Sequence, residues 1–454
     1  MRASFATPSG ARATFASRAG GLLTMIGVAV GLGNVWWFPY MVGTFGGAPF
    51  VLAYIGAVIL LGVPVLLAEL SLGRSTRRGP VGAFMAAGVP GGRLLGWGFF
   101  AVVAAASAYY TNALGWVLFH AVAQATSLAG LGDPGVAPAA ILPPQEGLDF
   151  TSLGLQATCS AAVIAACVVI LLRGLRRGIE KASRILMPVL LVCVLLLVAR
   201  SLTLPGAWAG VHWYILKFDL AAMTPSVLMA ALGQAFFSLS LGGTFMVVYG
   251  SYISSDTPLL PQALGTAGGD LLAGILAGLA ILPAVIALGL APDSGPALLF
   301  ETLPRVFATI PGGAIFGLIF YAGLLGAAYL SILGALEVLV VGLTDNTNLT
   351  RPQAILTVAL LVFFLAFPSM INMRIFVPWD LTFGSGMQTL GGLIAVVAVG
   401  WFLPRKTVMA QLGAGSSPRR MAMLYAWLRY VVPLIILLLT VWWLRTDVLP
   451  FFGL

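Results

Sequence analysis

Eleven stretches of mostly apolar residues, each close to or above the roughly 20 that a helix needs to cross a bilayer, run the length of this chain. They fall near 21–44, 49–73, 94–124, 153–173, 182–204, 224–250, 264–291, 313–343, 353–371, 381–402 and 427–446. In hydrocarbon every peptide group must be satisfied within the chain, so runs of this length read as spanning helices. With 60% of the 454 residues hydrophobic and only 8% charged, little is left from which to build a soluble domain. The fold class expected is an all-α polytopic membrane protein of eleven transmembrane helices.

The sparse charge sets the orientation. Arg2, Arg12 and Arg18 precede the first run, which is too long for a signal peptide, lacks a convincing small-residue cleavage site, and so reads as a retained helix. If the amino terminus is cytoplasmic, alternate loops on its side hold all but five of the 23 Lys and Arg residues. The five are Arg200, Lys217, Arg305, Arg374 and Arg445. The positive-inside rule then places the N terminus in and the C terminus out. The net charge of +9 is a consequence of topology, and no nucleic-acid partner is needed to explain it. Cys159, Cys167 and Cys193 lie in the fourth and fifth runs, a pattern with neither a disulfide framework nor a metal site.

Two runs carry a matching interruption. The first has GLGN at 31–34, and the sixth has GQAFFSLSLGG at 233–243, with serines and glycines midway along apolar sequence. They hold the same ordinal place in two successive sets of five runs, the pattern of a transporter site built on broken helices. Small residues also let helices pack closely in lipid, which is the plainer account of either motif taken singly. An opened helix leaves peptide groups that cost several kcal/mol each in hydrocarbon. Freed carbonyls suit a hard cation such as Na⁺, and half-helix N-termini suit an anionic group.

The acidic side chains inside the runs are Glu69, Asp270 and Glu337. Each is a functional candidate by default, although Glu337 lies late enough in its run to read as an interfacial, snorkelling residue. Asn34, Tyr54, Tyr110, Gln234, Ser238, Ser240 and Ser331 are uncharged polar groups that have to pack at mid-depth.

These residues carry a resemblance. Residues 27–74, GVAVGLGNVWWFPYMVGTFGGAPFVLAYIGAVILLGVPVLLAELSLGR, resemble the first two helices of the neurotransmitter:sodium symporter family, and 233–252 resemble its sixth. Further matches are the YY pair at 109–110, RGIEKASRILMP at 177–188, SGPALLFETLP at 294–304 and the spacing from Asp380 to Trp401. The resemblance covers nearly the whole chain and points to the bacterial, leucine-transporter-like branch. It implies two inverted five-helix repeats, 21–204 and 224–402, with helices 1 and 6 unwound. A cytoplasmic gate segment, 1–20, precedes them and an eleventh helix, 427–446, follows.

Carried over by position, the resemblance implies two sodium sites. One would use the Ala29 carbonyl, Asn34, Ser238 and Asp270; the other the carbonyls of Gly27, Val30 and Ala327 with the Ser331 hydroxyl. Leu330 stands where the family usually has a further hydroxyl, so one or two ions are expected. For the substrate, it implies contacts from Ala29, Gly33 and Tyr110 to a carboxylate, and from Phe237, Ser238 and Ser240 to an ammonium. Relatives that carry monoamines place an Asp at the position of Gly31, so here the substrate brings its own carboxylate and is an amino acid. Ala106, Phe237, Gly243 and Ala335 would wall a pocket roomy enough for a bulky apolar or aromatic side chain.

Tyr54, Gln234, Ser238, Asp270 and Gly274 surround the place where animal relatives hold chloride. The Asp270 carboxylate would supply that charge, making transport chloride-independent. Arg12 and Asp345, with Ser251 and Tyr252, match the inner gate. Asp380 matches the acidic member of the outer gate, but Trp37 replaces its arginine and is expected to act as an aromatic lid above Tyr110 and Phe237. Glu69 is a supporting residue.

The main expectation is a sodium-coupled amino-acid symporter in the bacterial cytoplasmic membrane, with a homodimer left open. A proton-coupled or uncoupled carrier, or a transport-silent sensor, is the alternative on the same fold. No filter loops of channel type appear. His120 and His212 form no catalytic constellation, so no enzyme activity is expected.

Overall fold

The computed structural model describes residues 12–131, 141–292, 298–412 and 417–448, which are helical with no strand among them. Among the described residues, nine helices are long and apolar enough to cross a membrane: Ala48–Thr76, Gly92–Leu128, Phe150–Leu172, Leu175–Leu202, Leu259–Ala287, Gly313–Asn346, Arg351–Ile371, Met373–Phe402 and Pro418–Thr446. They take the second to fifth and seventh to eleventh places. The first place is a bent pair, Arg18–Ala29 with Gly33–Phe45, whose halves meet at 54°. The sixth is two short helices, Pro225–Ser238 and Phe245–Ser251, neither long enough to cross alone. This arrangement is compatible with eleven spans, and we number the spans accordingly.

Sequence chemistry sets the helix ends. Pro49, Pro225, Pro352 and Pro418 lie in the first turns of their helices, where the missing N–H is no loss. Ser17, Asp149 and Thr224 cap first-turn amides with side-chain oxygens, and Thr350 with Gln353 forms a capping box. Between spans 1 and 2 the chain reverses through Gly46 and Gly47, both at positive φ (97° and 66°). Only glycine takes that path without strain.

Burial sorts the spans into centre and rim. In the most apolar window of span 8, 78% is covered by other helices, against 22% in span 5. Span 8 packs along span 3, while span 5 turns Ile185, Val189, Val192 and Leu196 outward and span 11 turns out Leu434, Leu437, Leu438 and Val441. Such outward aliphatic faces suit lipid rather than water.

Several boundaries differ from the sequence reading, span 5 starting at Leu175 rather than 182 and span 7 at Leu259 rather than 264. Span 10 starts at Met373 rather than 381, the helix taking in both Arg374, which pairs with Glu146, and Asp380. Span 11 starts at Pro418 rather than 427, the basic residues Arg419 and Arg420 lying on exposed helical turns. The stretch 204–223, read as a loop, contains helical turns at Ala207–Val211 and His212–Leu216. That segment clasps span 7: Gly210 abuts Pro283, and the Tyr214 hydroxyl donates to the Ile275 carbonyl at 3.1 Å.

Candidate functional site at the two broken spans

In span 1 the helix stops at Ala29, Val30 turns extended (φ −70°, ψ 115°), and the chain resumes as a wider helical turn from Gly33 to Trp37. The opening is therefore at Val30 and Gly31, slightly before most of the GLGN motif. In span 6 the path between Ser238 and Phe245 passes through three residues at positive φ: Ser240 (51°), Gly242 (83°) and Thr244 (59°). Two non-glycine residues in the left-handed region mark a backbone that its surroundings hold open.

The buried polar side chains meet at these breaks. Asn34 Nδ2 lies 2.7 Å from Asp270 Oδ1, 3.1 Å from the Asp270 carbonyl and 2.9 Å from Ser238 Oγ. Asn34 Oδ1 accepts the Gly31 N–H at 3.0 Å, which braces the break itself. Ser238 Oγ donates to Asp270 Oδ2 at 2.7 Å, and the Tyr54 hydroxyl reaches Ser238 Oγ at 3.0 Å and Asp270 Oδ2 at 3.3 Å. Gln234 Nε2 donates to the Gly33 carbonyl at 3.2 Å, on the same side of the break. Spans 1, 2, 6 and 7 are thus joined by one oxygen-rich cluster with a single carboxylate. The carboxylate, the hydroxyls and the nearby carbonyl are oxygen donors of the kind that fits a hard monovalent cation, while the Asn34 amide turns its nitrogen to the carboxylate and its oxygen to Gly31.

A second group lies on the other face of the break. The Ser331 hydroxyl on span 8 is within hydrogen-bonding reach of the Val28 carbonyl (3.0 Å) and the Val30 carbonyl (3.1 Å). Val30 and Ala327 are buried side by side. Leu330 presses on Gly27 from span 8, its Cδ1 only 2.9 Å from where a Cβ on Gly27 would sit. The position expected to offer a hydroxyl is filled by a methyl group.

Between the clusters is a cavity of about 60 Å³, against roughly 10–15 Å³ for one water by the same measure, so a small solute fits. Ala29, Gly31, Gly33, Ala106, Tyr110, Phe237, Ser240, Ser331 and Ala335, all expected at the substrate, line it. The Tyr110 hydroxyl accepts the Leu32 N–H at 3.1 Å, so it sits over the break. A Cβ on Gly31 would stand 2.5 Å from both Ser331 Oγ and the Tyr110 hydroxyl, so no side chain fits there without displacement.

Gly243 departs from the expectation. A Cβ there would meet the Phe245 ring at 2.3 Å, so Phe245 fills the room that glycine leaves and itself lines the cavity. Ser238 also sits apart from the lining, committed to the cluster around Asp270. Ser107, Tyr109, Ile332 and Gln388 complete the wall. Sequence reasoning missed them and Phe245; the available signals were a lone amide in the apolar run of span 10 and a ring two residues after the second glycine of a broken span.

Glu69 and Glu337 are both buried, and the interfacial reading of Glu337 is incorrect. Glu69 Oε1 accepts the Gly242 N–H at 2.6 Å, satisfying the opened backbone of span 6. Glu337 accepts from the Tyr252 hydroxyl at 2.6 Å and pairs with Arg351 at 2.7 Å, a partner supplied by the start of span 9. Nearby, Arg12 donates to both Asp345 oxygens (3.0 and 2.7 Å), lies over the Tyr252 ring and reaches the Arg77 carbonyl. Burial disfavours the Arg12 charge, yet Tyr252 and Asp345 outweigh that and hold its pKa above the usual value. Ser251 is buried, its carbonyl taking a hydrogen bond from Arg77 at 2.9 Å. Phe15 packs on Tyr249 and Tyr252 and donates its N–H to the Tyr252 carbonyl, so the segment before span 1 is stitched across this end of the bundle.

At the other end, Asp380 is bonded to the Tyr109 hydroxyl, and Arg374 pairs with Glu146 instead. Trp37 packs on Tyr40 (centroids 5.3 Å) and Phe237 (6.2 Å).

A membrane bundle in which two interrupted helices bring a cation-type oxygen cluster up against a solute-sized cavity, with latches at one end, is a secondary transporter. A family model described as the sodium:neurotransmitter symporter family matches residues 12–129 and 145–447. An uncharacterized sodium-dependent transporter of Bacillus subtilis is 32% identical over 444 residues, covering 93% of this chain and 96% of that protein. One from Haemophilus influenzae is 29% identical over 457 residues, with 94% and 97% covered. Among solved structures, that of MhsT in complex with L-phenylalanine superposes with a TM-score of 0.83 at 34% identity, covering 95% of this chain and 99% of MhsT. The chain belongs to the sodium:neurotransmitter symporter family. It is a sodium-dependent membrane transporter and not an enzyme.

Proposed function

We propose that this transporter couples inward movement of a bulky apolar or aromatic amino acid to the sodium gradient, by alternating access and without chloride. One observation carries the reading: the Asn34–Ser238–Asp270 cluster and the cavity share the broken backbone of spans 1 and 6. A sodium ion at the cluster would be ligated by groups that also shape the cavity, so ion and solute stabilise one state together. Backbone groups at Ala29 and Gly33 and the Tyr110 hydroxyl would take the carboxylate. The carbonyls of Phe237 and Ser238 with Ser240 would face the ammonium.

Asp270 supports chloride independence, because its carboxylate already touches Tyr54 and Ser238, where an anion would have to bind. Leu330 supports a weak second sodium site. The basic residues support a cytoplasmic N terminus in a bacterial inner membrane, which makes Arg12–Asp345 the inner latch and Trp37 with Asp380 the outer layer. Spans 1, 2, 6 and 7, tied by the polar cluster, would rock against the rest. MhsT, solved with L-phenylalanine, is consistent with an aromatic substrate here.

Uptake of radiolabelled amino acids into proteoliposomes tests the reading. Accumulation under an inward sodium gradient, absent under a proton gradient alone and intact in gluconate, is the expected result. Binding without accumulation would favour a sensor instead, and proton-driven accumulation a proton-coupled carrier.

A further inference from the structure

The cavity has two chemically different ends. One carries the amide and hydroxyl groups of Gly31, Gly33, Tyr110 and Ser331. The other is formed where span 10 runs against the opened turn of span 6. There the backbones nearly touch: a Cβ on Gly242 would lie 1.6 Å from the Gln388 carbonyl oxygen, and one on Gly391 would lie 1.8 Å from the Gly242 carbonyl oxygen. The approach seats the Gln388 side chain at the cavity wall beside Phe245, with its Oε1 3.3 Å from the Cβ position of Gly243.

The orientation of the amide is determined by its neighbour. Gln388 Nε2 donates to the Phe383 carbonyl at 3.2 Å, and a carbonyl can only accept, so the nitrogen faces Phe383 and the oxygen is left on the side of Gly243 and Phe245, at the cavity wall. Among the described residues no donor is seated on that oxygen. Phe245 stands beside it, and Ala106, Phe237, Ile332 and Ala335 make much of the cavity wall apolar or aromatic, with Ser107 and Tyr109 among its polar members. A lone acceptor in such a wall gains when a donor reaches it and loses its hydration when a hydrocarbon covers it.

We infer that Gln388 is a specificity-determining residue whose Oε1 accepts a hydrogen bond from the far edge of the substrate's ring. The preferred substrates are then aromatic amino acids with a ring donor, the indole N–H of tryptophan or the phenol O–H of tyrosine, over phenylalanine. This rests on the amino-acid reading above and narrows it. The phenylalanine–tyrosine pair differs by one hydroxyl, so their affinity ratio isolates the contact.

The test is sodium-dependent competition binding by tryptophan, tyrosine and phenylalanine on purified wild type, Gln388→Met and Gln388→Glu. In wild type, tyrosine and tryptophan should bind at least about fivefold tighter than phenylalanine. Gln388→Met removes the acceptor at similar length and should bring the three within about twofold, with phenylalanine unchanged or improved, while Gln388→Glu keeps an acceptor and retains the order. Equal affinities for tyrosine and phenylalanine in wild type would overturn the assignment even if the variants fail to fold. So would a Gln388→Met protein that weakens all three equally, because that is a structural effect. Sodium-dependent binding of none of the three would overturn the substrate reading as well, which separates the two failures.

Discussion

Asn34 Nδ2 lies 2.7 Å from Asp270 Oδ1, a hydrogen bond that fastens the break in span 1 to the interior of span 7. The same carboxylate takes the Ser238 hydroxyl from span 6 and the Tyr54 hydroxyl from span 2. One negative charge therefore holds together four spans that the proposed mechanism moves as a unit.

Replacing that charge is the sharpest test of chloride independence. Asp270→Asn should lower sodium-driven uptake in gluconate by roughly a hundredfold, the effect of removing one partner from a buried charged site. Chloride should restore a substantial part of it, while wild type should be indifferent to the anion. A wild-type protein that loses uptake several-fold in gluconate contradicts the account.

Leu330 makes a gain-of-function prediction. Leu330→Thr puts a hydroxyl where a methyl now presses on Gly27, and should raise apparent sodium affinity by about tenfold, one added ligand's worth. The sodium dependence of uptake should steepen at the same time. Ser331→Ala in the same background should reverse both. No change in either parameter would mean that the second ion does not bind between spans 1 and 8.

The opening at Val30 and Gly31 leaves no space for a side chain. Gly31→Ala sets a methyl 2.5 Å from two hydroxyl oxygens, and should weaken amino-acid binding by about tenfold through overpacking. The same overpacking, about 1–3 kcal/mol, should also lower the thermal unfolding midpoint modestly. Full affinity in this variant would show that the carboxylate does not seat against Gly31 and Tyr110.

Much of this site was legible in the sequence because its cause is local. Gly31, Gly33 and Asn34 in span 1, and Ser240, Gly242 and Gly243 in span 6, break apolar helices at matched places, and an intramembrane Asp270 needs polar partners. What the sequence concealed depends on approach between distant segments. Glu337 reads as interfacial until Arg351, 14 residues on, folds back to pair with it. Gln388 is one amide in an apolar run until Gly242 and Gly391 allow spans 6 and 10 to touch. Gly243 reads as empty room until Phe245 turns its ring into it. The segment 207–216 lacks the length of a span and reads as a loop, yet Gly210 and Tyr214 fit it to span 7.

The proposed inner latch can be probed by accessibility. Asp345 holds Arg12 and also accepts the Gly79 N–H at 2.6 Å, so Asp345→Asn should loosen the segment across that end. A cysteine at Ser251, buried in this state, in a background lacking Cys159, Cys167 and Cys193, reports the change. Labelling by an impermeant thiol reagent from the cytoplasmic face should quicken by about fivefold or more when Asp345 is Asn. An unchanged rate would contradict the latch.

The central claim is that the opened backbones of spans 1 and 6 are satisfied jointly by sodium and an amino acid, which requires each ligand to strengthen the other. Equilibrium binding of radiolabelled tryptophan, with sodium or choline as the cation, measures this directly. The account predicts affinity roughly 10- to 100-fold higher in sodium, with tracer sodium binding raised by tryptophan to the same extent. Equal amino-acid affinity in the two cations would contradict it.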